Sequence, residues 1–296
     1  MKNYPKVLTI QDISCVGQCS LTVALPILSA CGAETVILPT AVLSTHTAFP
    51  KGFTFRDLSE DIPLITKHWK EIGIAFDGIY TGYLGSIQEI EDVQRIFDTF
   101  RKEGAKTFVD PAMADNGVLY GGFDMTYANA MKPLCFHADV ILPNLTEACL
   151  LTDMPYRETY DKAYITEILD KLKASGAKTI ILTGIGYTPD TTGVIVAENG
   201  DVQHYVHKRL SRGSHGTGDV YASAFVGAYL QGINAFDSAT IAANYTVKCI
   251  ENTQDDPDHW YGVKFETALP ELIKAIEPEL ITAFEMDEVF KILNGD

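Results

Sequence analysis

Apolar and polar positions alternate along the chain in two rhythms. Short apolar runs, Lys6–Ile10, Thr35–Leu38, Asp77–Tyr80, Thr107–Val109, Val140–Leu142 and Thr179–Leu182, have the length of buried strands. Between them lie segments with helical spacing: Leu21–Cys31, closed by Gly32, then Leu58–Ile72, Gln88–Lys102, stopped by Gly104, a helix ending at Met131, and Ala163–Lys173 before Gly176. Thr192–Val196 and Val202–Val206 flank Asn199-Gly200 and predict a hairpin. Helices over Asp219–Leu230, Ala235–Ile250 and Phe265–Ile276 follow, and no element is assigned beyond Ile276.

Strands and helices that alternate at this spacing predict an α/β fold: a mostly parallel central sheet with helices on both faces. No composition break or repeat divides the chain, so residues 1–296 are read as one domain. The Thr-rich segment Pro39–Phe55 interrupts the rhythm and is read as a small flap of short strands.

In a sheet of this kind ligands gather at the carboxyl ends of the strands. Asp12, Tyr83, Asp110, Asn144 and Thr183 all fall there. Strand ends are also where polar residues ordinarily sit, so placement alone does not make a site. The stretch Ser211–Gln231, SRGSHGTGDVYASAFVGAYLQ, adds chemistry. Gly216 and Gly218 bracket Thr217, and Asp219 opens an Ala-rich helix. A helix N-terminus presents backbone N–H groups and partial positive charge to an anion. An aspartate there can take a proton from a hydroxyl that attacks a phosphate. The plainer alternative is a turn followed by a first-turn acid that the helix dipole stabilises.

Asn144 and Glu147, in P-N-L-T-E, stand at i and i+3. Their oxygens suit Mg²⁺, and the same spacing makes a capping box. The phosphate-binding loop of P-loop enzymes, the serine-hydrolase elbow and the His-Glu-x-x-His zinc motif are all absent, and Gly184-Ile185-Gly186 lacks the third glycine of a dinucleotide fingerprint. His46 and His215 lie near Thr- or Gly-rich loops and are read as surface or hydrogen-bonded residues rather than catalysts.

A net charge of −16 argues against nonspecific nucleic-acid binding. It also means that a phosphate site must rely on local amides, a metal or a few cations. No apolar run is long enough to span a membrane, and the N-terminal MKNYPKVLTIQDIS lacks the core of a secretion signal. The six cysteines show no C-x-x-C pair and read as reduced thiols, which makes the cytoplasm the expected location.

Gly216-Thr217-Gly218-Asp219 with its helix resembles the G-T-G-D signature of the ribokinase-like kinases, and P-N-L-T-E resembles their N-x-x-E motif. Three further stretches, V-L-T-I-Q-D with Gly17, P-T-A-V-L-S-T-H-T and T-G-Y-L-G-S, resemble the pyridoxal/pyridoxamine (vitamin B6) kinases; the likeness runs from about Val7 to Lys248. This resemblance implies a ribokinase-like fold and ATP-dependent phosphorylation of the 5′-hydroxymethyl group of a B6 vitamer. Asp219 would be the base, and the amides of Gly216, Thr217 and Gly218 the anion hole. Asn144 and Glu147 would act through Mg²⁺ and its waters, with Asp110 near the metal and Thr183 near the ATP phosphates. Asp12, Thr47 and Tyr83 fall at substrate positions. A homodimer is implied, and a monovalent cation is allowed. The family's usual Gln-Ser after the first strand is Gln11-Asp12 here. A carboxylate at that point suits a cationic amine or protonated ring, as in pyridoxamine, and equally the hydroxymethylpyrimidine of thiamine synthesis, whose kinases share the fold; a catalytically weak relative that binds a vitamer or nucleotide is the remaining alternative.

Overall fold

The computed structural model describes residues 4–210 and 215–277. Ser211–Ser214, the head of the stretch singled out above, lie outside the described residues, as does everything from residue 278 on.

Nine strands form the main sheet: β1 (Lys6–Ser14), β2 (Glu34–Leu43), β3 (Phe55–Asp57), β4 (Phe76–Thr81), β5 (Arg101–Val109), β8 (Val140–Ile141), β9 (Thr179–Thr183), β10 (Thr191–Glu198) and β11 (Asp201–Lys208). Their order is β11-β10-β9-β8-β5-β4-β1-β2-β3. The run from β9 to β2 is parallel; β10 and β3 run against it, and β11 pairs antiparallel with β10. A two-stranded ribbon, β6 (Ala114–Asp115) with β7 (Val118–Leu119), stands apart. Helices α2 (Ile62–Glu71), α3 (Ile87–Phe100), α4 (Met125–His137), α5 (Leu145–Thr152) and α6 (Lys162–Ala174) cover one face; α1 (Leu21–Ala30), α7 (Thr217–Leu230), α8 (Ala235–Glu251) and α9 (Leu269–Ile276) cover the other. The chain leaves β1 in one direction to β2 and in the other to β4. The crevice at such a reversal is the usual ligand position.

Three departures from the sequence reading bear on the site. First, β1 does not end at Ile10 but runs on to Ser14, and β2 runs through Pro39 to Leu43. The proline marks a slip of the ladder rather than its end. Gln11 pairs with Pro39, Ile13 pairs with Val42, and Asp12 alone faces Thr40 and Ala41. A bulge of this kind re-aims a side chain. The flap is therefore smaller than Pro39–Phe55: its first part is continuous strand, and β3 pairs back on it. Second, α4 passes Met131 and Pro133 and reaches His137. Its buried face of Tyr127, Ala128, Met131, Leu134 and Cys135 spans the proline, and that packing outweighs one lost hydrogen bond. Third, a helix absent from the expected elements spans Leu145–Thr152, headed by the capping box that the Asn144–Glu147 spacing allowed.

Candidate active site

The first glycine of the G-T-G-D turn is fixed by its surroundings. Gly216 has φ 74°, and a Cβ there would lie 1.7 Å from the Gln18 carbonyl oxygen. Only glycine lets the start of α7 press against the loop after β1. At Gly218 a Cβ would meet open space. That glycine is exposed, so an anion can reach the backbone of the first turn, where the helix dipole favours it.

Asp219 follows on the same turn. Its Oδ2 accepts the Ser20 N–H at 3.0 Å. Burial pushes its carboxyl up to about 6; the Ser20 N–H pulls the other way, and nearby Asp12 adds to the rise. Ser20 in turn donates its hydroxyl to Asp12 Oδ1 at 2.6 Å, and the Ser14 hydroxyl donates to Asp12 Oδ2 at 3.0 Å. Asp12 is buried, which raises its carboxyl despite those two donors. Tyr83 lies close enough to Asp12 and Glu89 for both to raise its hydroxyl, after burial, and its ring stacks on Phe123 at 5.4 Å.

A second acid group stands at the ends of β5 and β8. Glu147 accepts the Met113 N–H through Oε1 at 3.0 Å and the Asn144 N–H through Oε2 at 2.9 Å. Asn144 Oδ1 accepts the Glu147 N–H at 3.0 Å, and its Nδ2 donates to the Ala114 carbonyl at 2.8 Å. Burial holds the Glu147 carboxyl up at about 7. Asp110 is pushed well above the carboxylate range by burial, then by Glu147 and Asp219. These desolvated carboxylates repel one another, so the pair suits a cation. Among the described residues no cluster of three or more His, Cys, Asp or Glu is arranged to hold a metal alone. Mg²⁺ needs no such cluster, since one or two carboxylates with water and phosphate suffice. Thr183 bridges to Asn144 across β9 and β8, and its N–H donates to the Pro143 carbonyl at 2.9 Å.

His46 is buried, with Nε2–H donating to the Tyr261 carbonyl at 3.0 Å and Nδ1 accepting the Ala48 N–H at 3.2 Å. Both ring nitrogens are engaged, and burial lowers its pKa, so it stays neutral and structural. Thr47, beside it, is exposed. The carboxyl edge thus brings together Asp12, Asp219, Asp110, Glu147 and Tyr83, and sets Asn144 beside Thr183. A hollow of about 370 Å³ lined by Tyr4, Asp77 and Lys106 lies away from them, where β1 and β4 begin.

The family model for phosphomethylpyrimidine kinase matches residues 57–262. The chain belongs to the phosphomethylpyrimidine kinase family. Among solved structures it is similar to a Bacteroides thetaiotaomicron protein assigned as a phosphomethylpyrimidine kinase and crystallised with pyridoxal: 35% identity, TM-score 0.86, covering 91% of this chain and 96% of that one. It is also similar to pyridoxal kinase from Lactobacillus plantarum, with 32% identity, TM-score 0.85 and coverage of 94% and 99%. The hydroxymethylpyrimidine/phosphomethylpyrimidine kinase of Bacillus subtilis is 25% identical over 224 residues, 75% of this chain and 78% of that protein.

Against this family background three residues join the site that the sequence reading did not name. Ser20 supplies the amide to Asp219. Tyr120 stands on the loop carrying β6 and β7; it is 41% exposed, and partial desolvation with the nearby acids Glu147, Asp110, Asp115 and Asp219 raises its hydroxyl. Glu89 is held up at about 7 by burial and accepts the Gly85 N–H at 2.7 Å. A signal for Glu89 was present: Ser86-x-x-Glu89 is a capping pattern directly after T-G-Y-L-G, and Ser86 does cap α3. Ser20 and Tyr120 had none, because loop geometry alone brings them in.

Glu147 also allows a stability test. Glu147→Ala leaves the buried Met113 N–H and the half-buried Asn144 N–H without their acceptor. It is expected to cost about 2–6 kcal/mol in urea unfolding, at roughly 1–3 kcal/mol for each orphaned group. Glu147→Gln keeps one acceptor and is expected to lose about half as much.

Proposed function

We propose that this protein is an ATP-dependent kinase that phosphorylates the 5′-hydroxymethyl group of a vitamin B6 vitamer. The observation that carries the reading is the pairing of Asp219 with an approachable helix N-terminus. A carboxyl held near 6 is ionised at neutral pH yet more basic than an ordinary aspartate, which suits proton removal from an attacking alcohol. The amides of Gly216, Thr217 and Gly218 receive the charge of the phosphoryl group as it transfers. Asp110, and Glu147 through water, would hold Mg²⁺, which supplies positive charge to the phosphates. Asn144 and Thr183 stand at the nucleotide phosphates. Tyr83 and Thr47 are the residues assigned to the ring, and Asp12 lies near Tyr83. No monovalent-cation site follows from these residues.

The pyridoxal complex at 35% identity and the pyridoxal kinase at 32% support a B6 substrate. A second reading, hydroxymethylpyrimidine as substrate, has its own support in the family match and the Bacillus subtilis relative. The family likeness also makes a homodimer the expected assembly, seen in light scattering as about twice the chain mass of 32.5 kDa. Among the described residues no helix is long and apolar enough to cross a membrane, and we place the kinase in the cytoplasm on its unpaired cysteines.

The test is ADP release from Mg²⁺–ATP with pyridoxal, pyridoxamine, pyridoxine and hydroxymethylpyrimidine side by side. The expected result is turnover of a B6 vitamer. Turnover of the pyrimidine alone would move the substrate and keep the catalytic residues; no turnover of any of the four would overturn the kinase reading.

A further inference from the structure

Ser20 stands in a conformation that serine rarely adopts, φ 55° and ψ −134°. Such a residue costs on the order of 1–3 kcal/mol and persists only when its surroundings hold it. It precedes α1, where a serine ordinarily turns its hydroxyl to the helix N–H groups. Here there is no side-chain cap. The hydroxyl goes instead to Asp12 Oδ1 at 2.6 Å, while the Ser20 carbonyl accepts the N–H groups of Val23 and Ala24 at 3.0 and 2.8 Å. The result of this arrangement is that the Ser20 N–H points at Asp219 Oδ2.

Asp12 is held just as firmly. The bulge opposite Thr40 and Ala41 aims it, and the Ser14 hydroxyl occupies its second oxygen at 3.0 Å. It is 5% exposed, so little of the carboxylate remains for a ligand. We infer that Asp12 is a positioning residue for the base: through the Ser20 hydroxyl it holds the left-handed Ser20 backbone, which delivers the N–H that orients Asp219. This rests on the kinase reading above, and it gives the aspartate of Gln11-Asp12 a task other than touching the ring.

The test is a cycle of wild type, Asp12→Ala, Ser20→Gly and the double variant. Asp12→Ala is expected to lower kcat about 10- to 100-fold, the scale of a misplaced catalytic group, with KM for ATP unchanged. Glycine adopts positive φ without an anchor and keeps its N–H. Adding Ser20→Gly to Asp12→Ala is therefore expected to recover most of the loss, whereas Ser20→Ala, which keeps the strain and loses the anchor, behaves like Asp12→Ala. A double variant no faster than Asp12→Ala, or an Asp12→Ala effect confined to KM for the vitamer, overturns the inference and returns Asp12 to the ring. Absence of wild-type turnover falls on the kinase reading instead. In that case hydrogen exchange decides: the Ser20 amide is expected to exchange at least about 10-fold faster in Asp12→Ala, and an unchanged rate overturns the inference.

Discussion

Asp219→Asn is expected to cut kcat about 10³-fold and leave KM for ATP within a few-fold. A positioned general base contributes roughly 10²–10⁴-fold, and the anion hole is backbone that the substitution leaves in place. The wild-type pH profile should carry the same residue's signature. With the carboxyl held at about 6, kcat/KM for the vitamer is expected to fall about tenfold per pH unit below that value and to level off above it. Stability should move the other way. The folded pKa is raised, so the folded state binds this proton more tightly than the unfolded chain does. The cost of the ionised group grows as pH rises from the ordinary 3.8 to about 6 and is constant above. At pH 8 that is on the order of 3 kcal/mol. Asp219→Asn removes it and should raise the melting temperature by several degrees at pH 8, with the gain vanishing as pH approaches 3.8. Near-normal turnover of Asp219→Asn would remove the base from the mechanism.

The two glycines of the G-T-G-D turn should respond in opposite ways. At Gly216 a Cβ lies 1.7 Å from the Gln18 carbonyl oxygen and 3.2 Å from Cys19 Sγ, with φ 74°. Gly216→Ala combines backbone strain of about 1–3 kcal/mol with overpacking of about 1–3 kcal/mol. A loss of about 2–6 kcal/mol in urea unfolding is expected, with α7 pushed off the loop after β1. Gly218 lies within α7, and its Cβ direction is open. Gly218→Ala is expected to leave stability unchanged or raise it by up to about 1 kcal/mol, since alanine is the better helix former. It should nevertheless lower kcat/KM for ATP about tenfold or more, because the methyl group occupies the space where the phosphoryl group approaches. Equal activity of Gly218→Ala and wild type would place the anion elsewhere.

Much of this architecture could be read along the chain. Apolar runs of strand length between helical patterns were enough for a mostly parallel sheet with helices on both faces, because burial on two faces forces that pattern. The hairpin at Asn199-Gly200 was equally plain, since both residues take positive φ in the structure. Two elements run past the ends that the apolar pattern predicts, Leu38 and Met131. Pro39 and Pro133 each lie inside an element, because pairing across the sheet and a buried helical face outweigh the local preference. Of the candidate site, the motifs Gly216–Asp219 and Asn144–Glu147 could be seen along the chain, because their spacing along a turn is itself the geometry. Ser20, Tyr120 and the burial of Asp12 could not.

The sequence by itself determined the layering of strands and helices, the acidic charge, and a glycine-bracketed helix start with an aspartate on its first turn. These depend on contacts between near neighbours in the chain. The tertiary structure decided which atoms meet across long separations: a bulge turns Asp12 inward, Ser20 reaches Asp219 from 199 residues away, and Asp110 and Glu147 share one desolvated space. Burial, and with it a carboxyl held near 6, is a property of the assembled fold and has no counterpart in the order of the residues.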